Sequence, residues 1–300
     1  MRSEPLREPL QQRAEAASLA ARLPALQLEA RRIAAGIVQG VHGRRRAGPG
    51  ETFWQFRAYQ PGDPAQRIDW RQSARGGRLF LREREWEAAQ AAWLWCDQSP
   101  SMAFRSTKAV PRKLERAAVL MIALGDLLAG GGERVGVLGQ DERAVTGKTI
   151  PGRILRALST SARLDPAEHL PQARIPGHAR AVLFGDFLER PEQLRAWLQP
   201  RVAAGVHGVL VQVVDPAEET FPYDGRMLVE GLEGDGQRMV ENATQLGARY
   251  RAVWQAHRAS LTEEARRRGW IHLVHRTDQP ATTALVALWQ ALALPHAGSA

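Results

Sequence analysis

Apolar and polar positions are arranged in alternating blocks over the last two thirds of the chain. Ala91 to Cys96 is an unbroken apolar run that ends in polar residues, the pattern of a strand buried on both faces of a parallel sheet. Similar short runs recur at 134–139, 180–185, 206–214 and 270–275. Between them, helical spacing predicts helices over 112–129, 151–162, 191–204, 241–268 and 281–293. In the first of these, Leu114, Ala117, Ala118, Met121, Ile122 and Leu124 keep helical spacing, and Gly130-Gly131-Gly132 ends it. Apolar strands joined by helices predict an α/β fold, a mostly parallel sheet covered on both faces. Residues 215–240 interrupt the alternation as a hairpin-like insertion.

The first third reads differently. Residues 1–40 are rich in Ala, Leu, Gln, Glu and Arg and predict one or two helices, interrupted at Pro24. His42 to Glu51 is a basic, glycine-rich loop whose Arg44-Arg45-Arg46 suits a phosphate contact or a solvated linker equally. Phe53, Trp54, Phe56 and Tyr59 give the next stretch strong β-propensity. Pro61-Gly62-Asp63-Pro64 makes a turn, and a second strand follows Gly76-Gly77 over Arg78 to Glu85. The expected organisation is a helical arm and basic loop (1–48), a β-ribbon (49–90) and an α/β domain (91–295).

Chemistry concentrates where strands end. Asp97, Ser99 and Ser101 follow the 91–96 strand at every second position, so extended backbone points all three to one side. Asp186 directly follows the 180–185 strand and should reach the same edge of the sheet, where open α/β sheets bind ligands. A lone aspartate after a strand is often only the cap of the next helix. Two such strand ends with oxygen-bearing side chains point instead to a polar or cation site. Oxygen-only ligands favour Mg²⁺ or Mn²⁺ over Zn²⁺.

Composition changes this picture little. Apolar residues at 44% and charged ones at 24% suit a globular protein of 300 residues. No apolar run is long enough to span a bilayer, and the first twenty residues lack a signal-peptide core, so a cytoplasmic protein is expected. The single cysteine, Cys96, excludes an internal disulfide and a thiolate zinc site. A net charge of +9 fits either an acidic partner or an arginine-rich solvated surface. Thr146-Gly147-Lys148-Thr149 lacks the glycine that a phosphate-binding loop needs, since Glu142 stands there. His272 and His275, three apart on a strand, tend to face opposite sides and make a poor metal pair. Ser99 and Ser101 lack an identifiable base, and no enzyme activity is expected.

Asp97-Gln98-Ser99-Pro100-Ser101-Met102 resembles the metal-ion-dependent adhesion site of von Willebrand factor A domains. Upstream, Arg57-Ala58-Tyr59-Gln60-Pro61-Gly62-Asp63 and Arg67-Ile68-Asp69-Trp70-Arg71-Gln72-Ser73-Ala74-Arg75 resemble the signature of the domain-of-unknown-function 58 (DUF58) family. The resemblance implies a von Willebrand factor A-like three-layer fold. It also implies a bacterial protein that binds other proteins, commonly encoded beside a MoxR-type AAA+ ATPase. It gives Ser99 and Ser101 the role of direct ligands to Mg²⁺ or Mn²⁺, with Asp97 and Asp186 acting through water. An adaptor for such an ATPase, in assembly or maturation of a client complex, is the expected function, with an acidic residue of the partner at the metal. A domains also supply a threonine from an intervening loop. Thr149, Thr146 and Thr160 are the residues available here, Thr149 foremost.

The 41–90 block admits a second reading. Ten arginines against six acidic residues, interleaved with Trp54, Tyr59, Trp70, Phe80 and Trp86, suit single-stranded nucleic acid. Against it, Asp63 and Asp69 can pair with Arg57, Arg67, Arg71 or Arg75 in a structural network, which is the favoured expectation.

Overall fold

Alternation along the central strands sorts their side chains onto two faces, and that sorting builds the protein. The computed structural model describes residues 21–37, 53–59, 70, 73–74, 78–84, 91–159, 170–232 and 236–293. Five strands form one parallel sheet: β3 (Ala91–Cys96), β4 (Arg134–Val137), β5 (Arg180–Gly185), β6 (His207–Val214) and β9 (Ile271–Arg276), in the order β4-β3-β5-β6-β9. Leu94, Cys96, Val182, Phe184, Val209 and Val211 face one core, beneath α1 (21–37), α2 (Lys113–Gly130), α3 (Ile150–Ser159) and α7 (Ala281–Ala293). Trp93, Trp95, Ala181, Leu183 and Leu210 face the other, beneath α4 (Pro191–Ala203) and α6 (Ala243–Arg267). The α/β fold with a parallel, doubly covered sheet is therefore as expected. Burying both faces explains why these strands read as continuous apolar runs.

The chain divides into two compact units, Gln39–Ala89 and, together, Met1–Val38 with Gln90–Ala300. In the smaller unit, β1 (Phe53–Ala58) pairs antiparallel with β2 (Phe80–Arg84), the expected ribbon. In the larger, α1 lays Leu23, Leu26, Ala30, Ala34 and Ile37 against the core, and Arg22 and Arg116 pair with Glu115 and Glu29 respectively. Pro24 lies within α1 and does not interrupt it. The buried stripe on both sides of the proline keeps the helix docked.

Two boundaries differ from expectation for local reasons. Strand β4 stops at Val137 because the chain turns back and Val145 pairs antiparallel with Val135. The 215–240 stretch opens with a helix, α5 (Pro216–Thr220), before the hairpin of β7 (Met227–Glu230) and β8 (Gln237–Val240). Asp215 caps α5 with Glu218 reaching back to its N–H, and Pro216 sits at the first helical position. Among the described residues no helix is long and apolar enough to cross a membrane.

Candidate functional site

The parallel register sets the site. Cys96 lies beside Phe184, and the Asp97 N–H donates to the Phe184 carbonyl at 2.8 Å, so Asp97 and Asp186 leave adjacent strands at the same edge. Gly185 permits the close approach: a β-carbon there would lie 3.2 Å from the Asp97 Cβ. The Ser99 N–H donates to Asp97 Oδ1 at 2.8 Å, a local turn that starts the short 3₁₀ segment Pro100–Ala103. That turn places Ser99 Oγ 3.0 Å from Ser101 Oγ, and Ser101 Oγ donates to Asp186 Oδ2 at 2.7 Å. Asp97, Ser99, Ser101 and Asp186 thus form one continuous polar cluster.

The backbone after Asp186 is held from two directions. Nε2 of the fully buried Gln212, on β6, donates to the Asp186 carbonyl at 3.0 Å, and His257 Nε2 lies 2.7 Å from the Phe187 carbonyl. Phe187 has φ of 51°, a left-handed conformation that costs energy for a residue other than glycine. The residue following Asp186 is therefore strained and clamped.

Sequence reasoning missed the group that dominates the electrostatics. Lys113, the first residue of α2, is only 1% exposed and sends its ammonium to Asp186 Oδ2 at 2.9 Å and to Glu218 Oε1 at 2.6 Å. Burial by itself would lower its pKa, but Asp186 and Glu218 outweigh that and hold it above the ordinary lysine value. At Glu218 burial prevails over the pull of Lys113 and raises the carboxyl pKa. The 2.6 Å contact favours the charged pair. Among the described residues no cation is recorded against Asp97. Burial first, then the neighbouring Asp186, pushes its carboxyl well above the usual carboxylate range. Asp97 is 2% exposed although it follows directly on a strand end. The 3₁₀ turn folds over it.

A signal for Lys113 was present. A lysine at the start of an apolar helix opposes the helix dipole, so it needs a nearby carboxylate to justify it. Asp215 ends β6 at the same edge, but its oxygens accept from the N–H groups of Ala217 and Ser106 at 2.9 Å each. It is a structural cap.

Thr149 is not brought to the cluster. It is exposed just before α3, eight residues ahead of Ala157, whose carbonyl accepts from Gln98 Nε2. At 1.5 Å rise per residue that puts it about 12 Å along the helix from the loop. Thr146 is exposed just after the isolated bridge at Val145, and Thr160 lies outside the described residues. Of the ribbon signature, Tyr59 donates its N–H to the Leu79 carbonyl at 2.8 Å, and Trp70 is 66% exposed. Arg57 belongs to β1. Gly62, Asp63, Arg67, Asp69 and Arg75 lie outside the described residues, and so do Arg71 and the proposed pairings of Asp63 and Asp69. The histidines keep apart: His272 Nδ1 meets Thr262 at 2.9 Å, while His275 is buried, and burial lowers the pKa of each to about 4.

Does the cluster suit a hard cation? Among the described residues, no three His, Cys, Asp or Glu side chains are disposed to hold one by themselves, so an ion would depend on the serines. Two cis ligands of an octahedral Mg²⁺ at about 2.1 Å stand about 3 Å apart. The Ser99 and Ser101 hydroxyls are 3.0 Å apart, and a Ser101 hydroxyl bound to an ion can still donate to Asp186. When Asp97, Asp186 and Glu218 are all ionised, they set three negative charges against the Lys113 ammonium, the one cation recorded there among the described residues. The donor set fits a divalent ion.

The chain is 30% identical over 279 residues to uncharacterized proteins of Mycobacterium tuberculosis and Mycobacterium bovis, covering 87% of this chain and 86% of each relative. Similar solved structures include an aerotolerance-related membrane protein from Bacteroides fragilis (TM-score 0.39, 17% identity, 68% of this chain and 98% of that one). They also include the conserved hypothetical protein BatB from Bacteroides thetaiotaomicron (TM-score 0.38, 16% identity, 68% and 97%). The family model described as "Protein of unknown function DUF58" matches residues 55–260, and the chain belongs to the DUF58 family.

Proposed function

We propose that this protein is a non-enzymatic protein-binding adaptor that recognises its partner through the polar cluster at the ends of β3 and β5. The observation that carries this reading is the convergence of Asp97, Ser99, Ser101 and Asp186 at adjacent strand ends, with the two serine hydroxyls 3.0 Å apart and Ser101 bonded to Asp186. Ser99 and Ser101 would hold Mg²⁺ or Mn²⁺ directly, with Asp97 and Asp186 supporting it through water. When bound, the ion supplies a positive charge with open coordination positions, which suits a Glu or Asp side chain from the partner. The chain's own contribution is positional: the Asp97 turn sets the serines, while Gln212 and His257 fix the backbone after β5.

The resemblance to A-like proteins encoded beside MoxR-type ATPases makes such an ATPase, with its client, the first partner to try. The test is pull-down of that ATPase by wild type and Asp97→Ala, with and without EDTA, using circular dichroism as the folding control. We expect chelator and variant each to abolish capture. Equal binding by a folded Asp97→Ala variant would place the interaction elsewhere. Capture that survives chelator but falls steeply with salt would instead favour nucleic acid and its phosphates.

A further inference from the structure

The cluster already contains a cation. Lys113 Nζ donates to the same oxygen of Asp186 that accepts from Ser101, and its second anchor is Glu218, brought in by the cap of α5. We infer that Lys113 is the built-in counter-ion of this site and competes with a divalent cation for Asp186, so that it sets the metal affinity. The inference rests on the metal reading above and asks what this chain's own residue does to it.

Position and chemistry support it. An ion ligated by Ser101 at about 2.1 Å lies within about 8 Å of the ammonium, because only Asp186 Oδ2 separates them. Between a single and a double positive charge at that separation, even water-like screening amounts to roughly a tenfold loss of affinity. The ammonium cannot retreat to solvent, since Lys113 is 1% exposed and its head lies 5.9 Å from the Phe104 ring centre. The residue type is also telling. Only three of the 41 Lys and Arg residues are lysines, and one of them is this buried group. A compact ammonium fits between two carboxylates where a planar guanidinium would need more room. The site is therefore neutralised in part without metal, and a divalent ion must bind against the positive charge that Lys113 already places on Asp186.

The test is isothermal titration calorimetry of the full chain with MgCl₂ and with MnCl₂, no partner present. Lys113→Met should bind about tenfold more tightly than wild type, and Lys108→Met, an exposed charge in the loop leading to α2, should stay within about twofold. In EDTA, Lys113→Met should melt below wild type and recover on adding metal. Equal affinity of Lys113→Met and wild type overturns the inference, and so does an equal gain in Lys108→Met. Failure of every variant to bind metal overturns it and also removes the ion from the proposed function. Loss of partner capture on Asp97→Ala, with no effect of Lys113, would leave partner recognition standing and overturn only the competition. If Lys113→Met does not fold, Lys113→Gln, whose amide still reaches the carboxylates, carries the same comparison.

Discussion

The ends of β3 and β5 present aspartates of the same kind, one register step apart, in opposite surroundings. Asp186 accepts from a serine hydroxyl and an ammonium, and its backbone is clamped by Gln212. Asp97 accepts from the backbone N–H and the side chain of Ser99 and otherwise faces the carboxylates of Asp186 and Glu189. Identical chemistry at equivalent strand ends thus gives one settled charge and one unsettled charge. The imbalance comes from which helix arrives: the start of α2 delivers Lys113 to the end of β5, and no such cation is recorded at the end of β3 among the described residues. A strand-end aspartate is a structural anchor or a site waiting for a ligand according to that third party.

The comparison breaks most visibly at Asp186. Asp186→Ala leaves the Lys113 ammonium buried with Glu218 alone, and losing one partner of a buried pair costs about 3–5 kcal/mol. A denaturation curve showing a loss below about 1 kcal/mol would mean that the ammonium relaxes to water and the anchor is unimportant. Asp97→Asn should act in the opposite direction. In metal-free buffer it removes a carboxyl that has no cation recorded against it among the described residues, and above the pH interval in which Asp97 titrates stability should rise by about 1–2 kcal/mol. The sign follows from linkage. The folded Asp97 carboxyl holds its proton to higher pH than the unfolded one, so between those pKa values the folded state binds more protons. Wild-type stability therefore falls as pH rises through that interval, and the asparagine variant should lack that fall. Parallel melting-temperature profiles from pH 4 to 8 would remove Asp97 from this account.

Much of this arrangement could be read from the sequence because parallel strands end together. Apolar runs mark the strands of the main sheet, and strand-end position alone puts Asp97, Ser99, Ser101 and Asp186 on one edge. Lys113 and Glu218 could not be placed that way. Their arrival depends on the path of the 104–112 loop and on α5, which folds inside a stretch whose pattern suggested only a hairpin. The capping pattern Asp215-Pro216-Ala217-Glu218 did announce that helix. Spacing could not choose among the threonines, because Thr149 follows a strand that turns back along β4 and away from the site edge. Burial of Asp97 was likewise invisible, since it depends on how the 3₁₀ turn folds back over the strand end.

The smallest effect, and the one that tests the contact between the two strand ends directly, is expected from Gly185→Ala. The new methyl would lie 3.2 Å from the Asp97 Cβ and 3.5 Å from its Oδ2, so Asp97 must give by a few tenths of an ångström. Crowding of this order in a packed interior costs about 1 kcal/mol or more. Replacing glycine within a strand end returns roughly 0.5–1 kcal/mol of backbone entropy. The two nearly cancel, and the melting temperature should move little. The carboxylate cannot move as freely, because the Ser99 N–H holds it and Ser99 in turn sets the spacing to Ser101. Partner capture and Mg²⁺ affinity should therefore fall while the fold persists. A variant that melts like wild type and binds like wild type would show that the spacing of the strand ends is not what tunes the site.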